Sequence, residues 1–320
     1  LEPSQIKPTN NTISTMPFNP ANDIPDLSGK VIIVTGGSSG LGKESVHQLV
    51  KHNPAKVYLA ARTSQRGNAA IEEIVNDVPS AKGKIHYLEI DMASFASVKR
   101  ASNLILAEND RLDILMNNAG LADTSSGLTT DGYEIQFGTN YMGPTLFTKL
   151  LLPLLQETAK QPNSDVRIIN LSSEIFKQAP KQGIIFADLK TPMQKTGSIA
   201  KYGQSKLGNY LFTKVCAQKY PSIKSVALHP GVVNTGIWDN LFKRPYVGRA
   251  MSVFLTPFLT NVHDGAKRQL WASTANSTEV RSGAFYTPKG SEYTQAILKN
   301  DKLANELWDW TQKEFAKHGF

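Results

Sequence analysis

Short runs of apolar residues alternate with stretches of helical periodicity along most of the chain. Continuous apolar strands separated by helices are typical of a mostly parallel sheet that helices cover on both faces. We therefore predict one α/β domain built on a doubly wound (Rossmann) sheet of seven strands. The predicted strands are VIIVT (31–35), KVYLAA (56–61), IHYLEI (85–90), LDILMN (112–117), VRIINL (166–171), SVALHP (225–230) and a last short one at 283–287. The predicted helices begin at Leu41 and cover 65–76, 94–108, a part of 131–156, and 202–219.

The two ends of the chain differ from this alternating part. Residues 1–28 are rich in Pro, Asn, Ser and Thr without apolar periodicity, which predicts an N-terminal tail. If Met16 is the native start, residues 1–15 are an added leader. We predict that the α/β domain covers 29–290 and that a helical extension follows at 291–320.

Two long segments, 174–201 and 236–261, follow predicted strands without continuing the alternation. In an open α/β sheet, the loops after the carboxyl ends of strands lie over the ligand crevice. The second segment carries six large apolar side chains, which would form an exposed patch unless they face a ligand. We therefore predict that 236–261 is a lid over an apolar substrate.

The composition is that of an ordinary globular protein, with 40% hydrophobic and 19% charged residues. The lone Cys216 permits no internal disulfide, and the six histidines lack the spacing of metal ligands, so we predict a reducing, cytoplasmic setting and no metal. The net charge of +8 is dispersed, which disfavours nucleic acid as a partner. No apolar run has the length of a transmembrane span, although the apolar stretch 251–259 leaves peripheral binding to a membrane or lipid droplet open.

A glycine-rich stretch, T-G-G-S-S-G-L-G at 35–42, follows the first predicted strand and opens a helix. Glycines at this place let backbone amides and the positive end of a helix approach a pyrophosphate. The same residues also match G-x-S-x-G, the nucleophile elbow of α/β hydrolases, with Ser38 as nucleophile and Asp188 and His229 as possible partners. An elbow does not explain Gly42 and seldom follows a first strand, so a hydrolase remains a remote alternative.

Tyr202 and Lys206 lie four residues apart, which places a phenol and an ammonium on one face of a helix. A cation beside tyrosine favours the phenolate and is predicted to lower its pKa toward neutrality. Such a tyrosine can exchange a proton with a carbonyl oxygen. The strand that precedes this helix ends in the pair Ser172 and Ser173.

In combination, these motifs resemble the classical short-chain dehydrogenase/reductase family over about residues 27–287, most of the chain. The elements F-A-D-L and V-V-N-T are similar to those of its retinol-dehydrogenase-like and WW-oxidoreductase-like branch. The resemblance implies a Rossmann fold and an NAD(P)-dependent oxidoreductase. The matching motifs, in the family's order, are T-G-x-x-x-G-x-G at 35–42, N-N-A-G at 117–120, Asn140, Ser173, Y-x-x-x-K at 202–206, and Pro230-Gly231 with Thr235.

The resemblance implies four catalytic residues. Tyr202 is the general acid in ketone reduction, and Lys206 lowers its pKa while binding the nicotinamide ribose. Ser173 holds the substrate oxygen, and Asn140 links Lys206 to a chain of water molecules. Ser172 is then a hydrogen-bonding or packing neighbour. The residues predicted to bind the cofactor are Gly36, Ser38, Ser39, Gly40, Leu41, Gly42, Arg62, Asp91, Met92, Asn118, Ala119, Gly120, Tyr202, Lys206, Pro230, Gly231, Val233 and Thr235.

The end of the second strand indicates which nicotinamide cofactor is used. The sequence there is Ala60-Ala61-Arg62, without the acidic residue that an NAD enzyme directs at the ribose 2'-hydroxyl. The guanidinium of Arg62 suits a 2'-phosphate instead. We therefore predict NADP as the cofactor.

The sequence thus predicts an NADP-dependent carbonyl reductase or alcohol dehydrogenase that acts on an apolar ketone or aldehyde. The alternative is an NADP-binding regulatory protein without catalytic activity, which would not need the four catalytic residues. Family members often pair the helices predicted within 140–156 and over 202–219, so a homo-oligomer is possible.

Overall fold

A computed structural model describes residues 18–122, 126–231, 233, 260–288 and 290–320. The predicted leader at 1–15 and nearly all of the predicted lid at 236–261 therefore lie outside the described residues. The same holds for Thr235.

A single seven-stranded sheet forms the centre of the described part, in the order β3-β2-β1-β4-β5-β6-β7. Every pair of neighbouring strands is parallel, so the prediction of a doubly wound, seven-stranded sheet is confirmed. The reversal of strand order between β1 and β4 creates the crevice in which such sheets bind ligands. The strands are β1 (Val31–Thr35), β2 (Lys56–Ala61), β3 (Ile85–Glu89), β4 (Ile114–Asn117), β5 (Val166–Leu171), β6 (Ile223–Leu228) and β7 (Phe285–Tyr286).

Seven α-helices of more than two turns are present among the described residues, and they cover both faces of the sheet. Helices α1, α2 and α6 pack on one face, and α3, α4, α5 and α7 pack on the other. They are α1 (Gly40–Leu49), α2 (Ser64–Asp77), α3 (Phe95–Glu108), α4 (Gly143–Ala159), α5 (Ser198–Lys219), α6 (Val262–Thr274) and α7 (Asp301–Lys317). Shorter helical turns lie at Pro20–Asp23, Val50–His52, Pro79–Ala81, Ile135–Phe137, Glu174–Gln178, Phe186–Asp188 and Ala296–Lys299.

The helix predicted within 131–156 has an irregular start. A π-helical turn, Gly138–Met142, precedes α4, and all five of its residues are buried. A π-turn is rare and often marks a functional site, because it shifts side chains relative to the helix that follows. The apolar pattern of the sequence did not indicate it.

The last helix, α7, packs on the same core as the sheet. Its Phe315 is fully buried, and the ring of Trp308 stacks on that of Phe212 from α5 at 5.8 Å. Tyr141 forms a hydrogen bond of 2.9 Å with Thr311. Helix α7 therefore covers part of α5, one of the two helices that a homo-oligomer was expected to pair.

The domain limit at 290 stays a prediction. No helix in the described part of the chain has the length and hydropathy needed to cross a bilayer.

Gly143, the first residue of α4, lies closely against the backbone that follows β3. A Cβ at this position would overlap the backbone carbonyl oxygen of Met92, which cannot swing aside as a side chain can. We expect Gly143→Ala to lower the free energy of unfolding by about 1–3 kcal/mol, the usual cost of overpacking. Gly127→Ala is the matched control, because nothing lies within 4 Å of its added Cβ. Urea denaturation of both variants is the measurement, and equal stabilities would contradict the account of this contact.

Candidate active site

Hydrogen bonds fix helix α5 against the end of strand β5. The Lys206 ammonium donates to the carbonyl oxygen of Leu171 at 2.9 Å, and the Asn209 side chain donates to the same oxygen at 3.0 Å. In the opposite direction, the Ser172 hydroxyl donates to the backbone oxygen of Lys206 at 2.6 Å. The carboxyl end of β5 and the middle of α5 therefore form one rigid unit at the crevice.

Tyr202 lies one helical turn before Lys206 on α5. The Lys206 Nζ atom is 5.5 Å from the centre of the Tyr202 ring, and both side chains are buried. Burial lowers the pKa of Lys206 to about 8, and burial raises the pKa of Tyr202 above its ordinary value. The sequence predicted a lowered pKa for Tyr202, but in this structure the loss of hydration acts in the opposite direction and dominates.

Asn140 occupies the π-turn and joins two parts of the site. Its Oδ1 atom accepts a 2.8 Å hydrogen bond from the Leu121 amide, and its Nδ2 atom donates to the Leu121 oxygen at 2.8 Å and to the Ser205 hydroxyl at 3.0 Å. A Cβ at Gly120 would lie 3.2 Å from Asn140 Oδ1 and 3.3 Å from Lys206 Nζ. Gly120, Asn140 and Lys206 thus meet at one point of the crevice.

The two serines after β5 have different partners. Ser172 is buried and bonds to α5, which agrees with its predicted role as a neighbour. Ser173 is half-buried, and its hydroxyl oxygen accepts a 3.2 Å hydrogen bond from the Ile175 amide at the start of the turn Glu174–Gln178. Its own proton can therefore be directed at a ligand.

The glycine-rich stretch forms the turn from β1 into α1. Gly36 and Gly40 adopt positive φ angles of 68° and 53°, which favour glycine. A Cβ at Gly42 would overlap the carbonyl oxygen of Gly36. The Ser39 side chain does not cap α1, so amide donors of its first turn are left for a ligand. The turn therefore fits the pyrophosphate of a dinucleotide.

Asn118 supports this turn with its side chain. The Thr35 hydroxyl oxygen accepts hydrogen bonds of 3.0 Å from the amides of Asn118 and Ala119, and Asn118 Nδ2 donates to the Thr35 carbonyl oxygen at 2.8 Å. These bonds join the ends of β1 and β4 on either side of the crevice. Asn118 therefore stabilises the conformation of the turn through these hydrogen bonds, and this role does not depend on a contact with a ribose.

The adenosine side of the crevice contains the other predicted cofactor residues. Arg62 follows β2 directly and is exposed. Asp91 is half-buried, with Oδ1 accepting a 2.9 Å hydrogen bond from the Ala93 amide, and Met92 is buried. A basic and an acidic side chain therefore lie just after the carboxyl ends of β2 and β3.

The residues after β6 complete the other side. Gly231 has a φ angle of 98°, so it turns the chain after Pro230 in a way that favours glycine. Val233 and Leu41 both approach Gly265 of α6, whose added Cβ would lie 2.6 Å from Val233 and 2.9 Å from Leu41. The segment after β6 is thereby brought to the first turn of α1.

The structure contradicts the remote hydrolase alternative. Ser38 follows β1 and His229 follows β6, and strands β4 and β5 lie between them. The ends of β1 and β6 are therefore three strand spacings, about 14 Å, apart across the sheet, and no described hydrogen bond joins Ser38 to His229.

Sequence reasoning also missed a feature of the site. Lys201, which precedes Tyr202, forms a buried ion pair with Glu134.

Comparisons with known proteins agree with this geometry. The sequence profile of the short chain dehydrogenase family matches residues 30–245. An uncharacterized oxidoreductase of Schizosaccharomyces pombe is 37% identical over 301 residues, which cover 92% of this chain and 87% of that protein. Retinol dehydrogenase 12 of Mus musculus is 33% identical over 285 residues, 88% of this chain and 85% of the mouse protein. The structure of NADPH-bound carbonyl reductase from chicken fatty liver superposes with a TM-score of 0.61 at 24% identity, covering 84% of this chain and all of that one (100%).

The chain belongs to the short chain dehydrogenase family. Members of this family are oxidoreductases that use a nicotinamide cofactor, and the glycine-rich turn described above fits such a group. The predicted family and the Rossmann fold are therefore confirmed.

The buried Lys206 ammonium is expected to lower the stability of the ligand-free chain. Its pKa is lowered from 10.5 to about 8 on folding, so between these pH values the unfolded chain binds more protons than the folded one. The destabilisation from burying the charged Lys206 ammonium is therefore fully present below pH 8 and vanishes above pH 10.5. We expect Lys206→Met to raise the free energy of unfolding at pH 7 by about 1–3 kcal/mol, with the lost hydrogen bond already deducted.

Urea denaturation at pH 7 and pH 10 measures this effect. The gain from Lys206→Met should shrink at pH 10, and Lys219→Met, at an exposed lysine on the same helix, serves as the control. A Lys206→Met variant that is less stable than the wild type at pH 7 would contradict the assigned cost of burial.

Proposed function

We propose that this chain is an NADP-dependent reductase of apolar ketones and aldehydes in which Tyr202 donates the proton. One observation carries the proposal: a buried phenol lies one turn from a buried ammonium at the ligand crevice of a nucleotide-binding sheet. That arrangement is costly for stability and is explained by proton transfer. NADPH, when bound, supplies the hydride.

The chain's own residues account for the remaining chemistry. Ser173 donates a hydrogen bond to the carbonyl oxygen and holds it beside Tyr202. As negative charge develops on that oxygen, the Tyr202 hydroxyl transfers its proton to it. The Lys206 ammonium stabilises the resulting phenolate, because the attraction between opposite charges is strong in a buried site. Asn140 holds the Leu121 backbone next to Gly120, which lies beside Lys206, and would link the Lys206 ammonium to a chain of water molecules.

The cofactor residues follow the two sides of the crevice. Amides of the turn 36–42 would hold the pyrophosphate, and Gly120 leaves room for a ribose beside Lys206. Val233 and Leu41 would contact the nicotinamide end, since α6 brings them together. Thr235 and the lid at 236–261 would complete the proposed site, and Thr235 and nearly all of the lid lie outside the described residues.

The choice of NADP over NAD rests on Arg62. Its guanidinium is exposed at the end of β2, and the residues before it carry no carboxylate that would repel a 2'-phosphate. Three structures of similar fold are described as complexes with NADPH or NADP, which supports the same choice.

The proposed substrate class rests on the names of one sequence relative and one structural neighbour, and on the apolar residues of segment 236–261. Retinol dehydrogenase 12 and carbonyl reductase are named for an apolar alcohol and for carbonyl compounds. The segment 236–261 carries the apolar side chains that would surround such a substrate. A regulatory, non-catalytic role is less well supported, because binding NADP alone needs neither Tyr202 nor Ser173. A cytoplasmic location and a homo-oligomer stay predictions.

Replacing Tyr202 tests the proposed chemistry. We expect Tyr202→Phe to reduce kcat by about 10² to 10⁴-fold, because general acid catalysis is lost while the ring still packs. The Kd for NADPH should stay within about threefold, since the hydroxyl adds at most one hydrogen bond. Tyr210→Phe removes a hydroxyl from another buried tyrosine of α5 and should keep full activity.

The measurement is the fall in NADPH absorbance with a panel of apolar ketones and aldehydes, together with NADPH titration. A Tyr202→Phe variant that retains more than about a tenth of the wild-type kcat would contradict the assigned proton donor. A wild-type chain that binds NADPH but turns over no carbonyl compound would favour the regulatory alternative.

Replacing Arg62 tests the choice of cofactor. Each charge-assisted bond to a 2'-phosphate contributes about 1.5–3 kcal/mol, so NADPH should bind about 10 to 10³-fold more tightly than NADH. Arg62→Ala should weaken NADPH binding and leave NADH binding nearly unchanged. Arg100→Ala, an exposed arginine on α3, serves as the control. Wild-type Kd values that are equal for the two cofactors would contradict this choice.

A further inference from the structure

An ion pair of two buried charges lies beside the proposed site. Lys201 directly precedes Tyr202 on α5, and Glu134 lies nine residues before the start of α4 and four residues before the π-turn. Their side chains are 2% and 0% exposed, and the Lys201 Nζ atom is 3.8 Å from Glu134 Oε1. Both residues are therefore removed from water almost completely.

The Lys201 ammonium contacts two separate segments of the chain. It donates to the Ser126 hydroxyl at 3.2 Å and to the Pro192 carbonyl oxygen at 3.3 Å. Ser126 belongs to the connection after β4, and Pro192 belongs to the long segment after β5. One side chain of α5 thus ties both connections to the helix that carries Tyr202.

Glu134 reinforces the same junction. Its carboxylate accepts a 2.8 Å hydrogen bond from the Phe137 amide, and its own amide donates to the Leu189 carbonyl oxygen at 2.8 Å. Nearby, Gln204 of α5 accepts a 2.8 Å hydrogen bond from the Ile185 amide. The described parts of the two connections, 126–134 and 184–192, are therefore held to each other and to α5 by buried polar contacts.

Stability alone does not account for this pair. A buried ion pair usually contributes no more than apolar side chains of the same volume, because both charges lose their hydration. The pair does provide a defined geometry, since the ammonium can satisfy its partners only when both segments are in place. Both segments follow the carboxyl ends of β4 and β5, the edge at which Ser173 and Tyr202 lie and where such sheets bind substrate.

We propose that Lys201 is a positioning residue that, through Glu134, Ser126 and Pro192, holds the segments after β4 and β5 as walls of the substrate cleft. The inference rests on the proposed reductase activity and adds a determinant of substrate affinity to it. Because Lys201 acts on the walls and not on the cofactor turn, its loss should raise KM for the carbonyl substrate without weakening NADPH binding.

A comparison of single and double variants separates positioning from mere stability. Lys201→Met alone leaves the Glu134 carboxylate buried without its cation and should lower the melting temperature by about 5–10 °C. Adding Glu134→Met removes both charges and should restore most of that loss. We expect KM to rise about tenfold or more in both variants, because misplaced walls orient the substrate poorly. The value of kcat should change less, and the NADPH Kd should stay within about twofold.

Lys214→Met is the matched control, because this lysine lies on the same helix, between three and four turns away, and pairs with Asp301 at 2.6 Å. It should leave KM unchanged. A double variant that recovers both its melting temperature and the wild-type KM would show that the pair is only structural and would overturn the inference. Equal rises in KM and in the NADPH Kd would also overturn it. A wild-type chain without carbonyl turnover would instead remove the proposed function on which the inference rests.

Discussion

The site depends on one shared acceptor, the backbone carbonyl oxygen of Leu171 at the end of β5. Lys206 and Asn209 both donate to it, and Ser172 donates back to the Lys206 backbone. An ammonium in this surrounding loses its hydration and needs such acceptors to remain charged. The carbonyl group thereby sets where α5 lies on the sheet, and with it the position of Tyr202.

The same helix connects the chemistry with the rest of the molecule. On one side, α5 faces strands β5 and β6 through apolar residues, and on another the rings of Phe212 and Trp308 stack where α7 covers it. Its first turns carry the buried contacts of Lys201 and Gln204 to neighbouring segments. Helix α5 is therefore buried on almost every side, which explains its weak amphipathic pattern and limits the movement of the catalytic residues.

Most of the sheet could be predicted from the sequence because each central strand is buried on both faces and reads as a continuous apolar run. The last strand was predicted at 283–287, but only Phe285 and Tyr286 pair with β6, since an edge strand leaves no such run. The π-turn 138–142 and the Lys201–Glu134 pair were missed, because both arise from tertiary contacts and have no local pattern. The direction of the Tyr202 pKa was also wrong, as spacing shows a neighbouring cation but not the burial that outweighs it.

The most direct test of the account follows hydride from cofactor to product. The chain is incubated with NADPH that carries deuterium at the transferable position and with an apolar aldehyde, and the alcohol is analysed by mass spectrometry. The account predicts one deuterium on the carbinol carbon for each NADP formed, and no labelled alcohol with Tyr202→Phe beyond a residual rate. An unlabelled alcohol, or loss of NADPH without any alcohol, would contradict it.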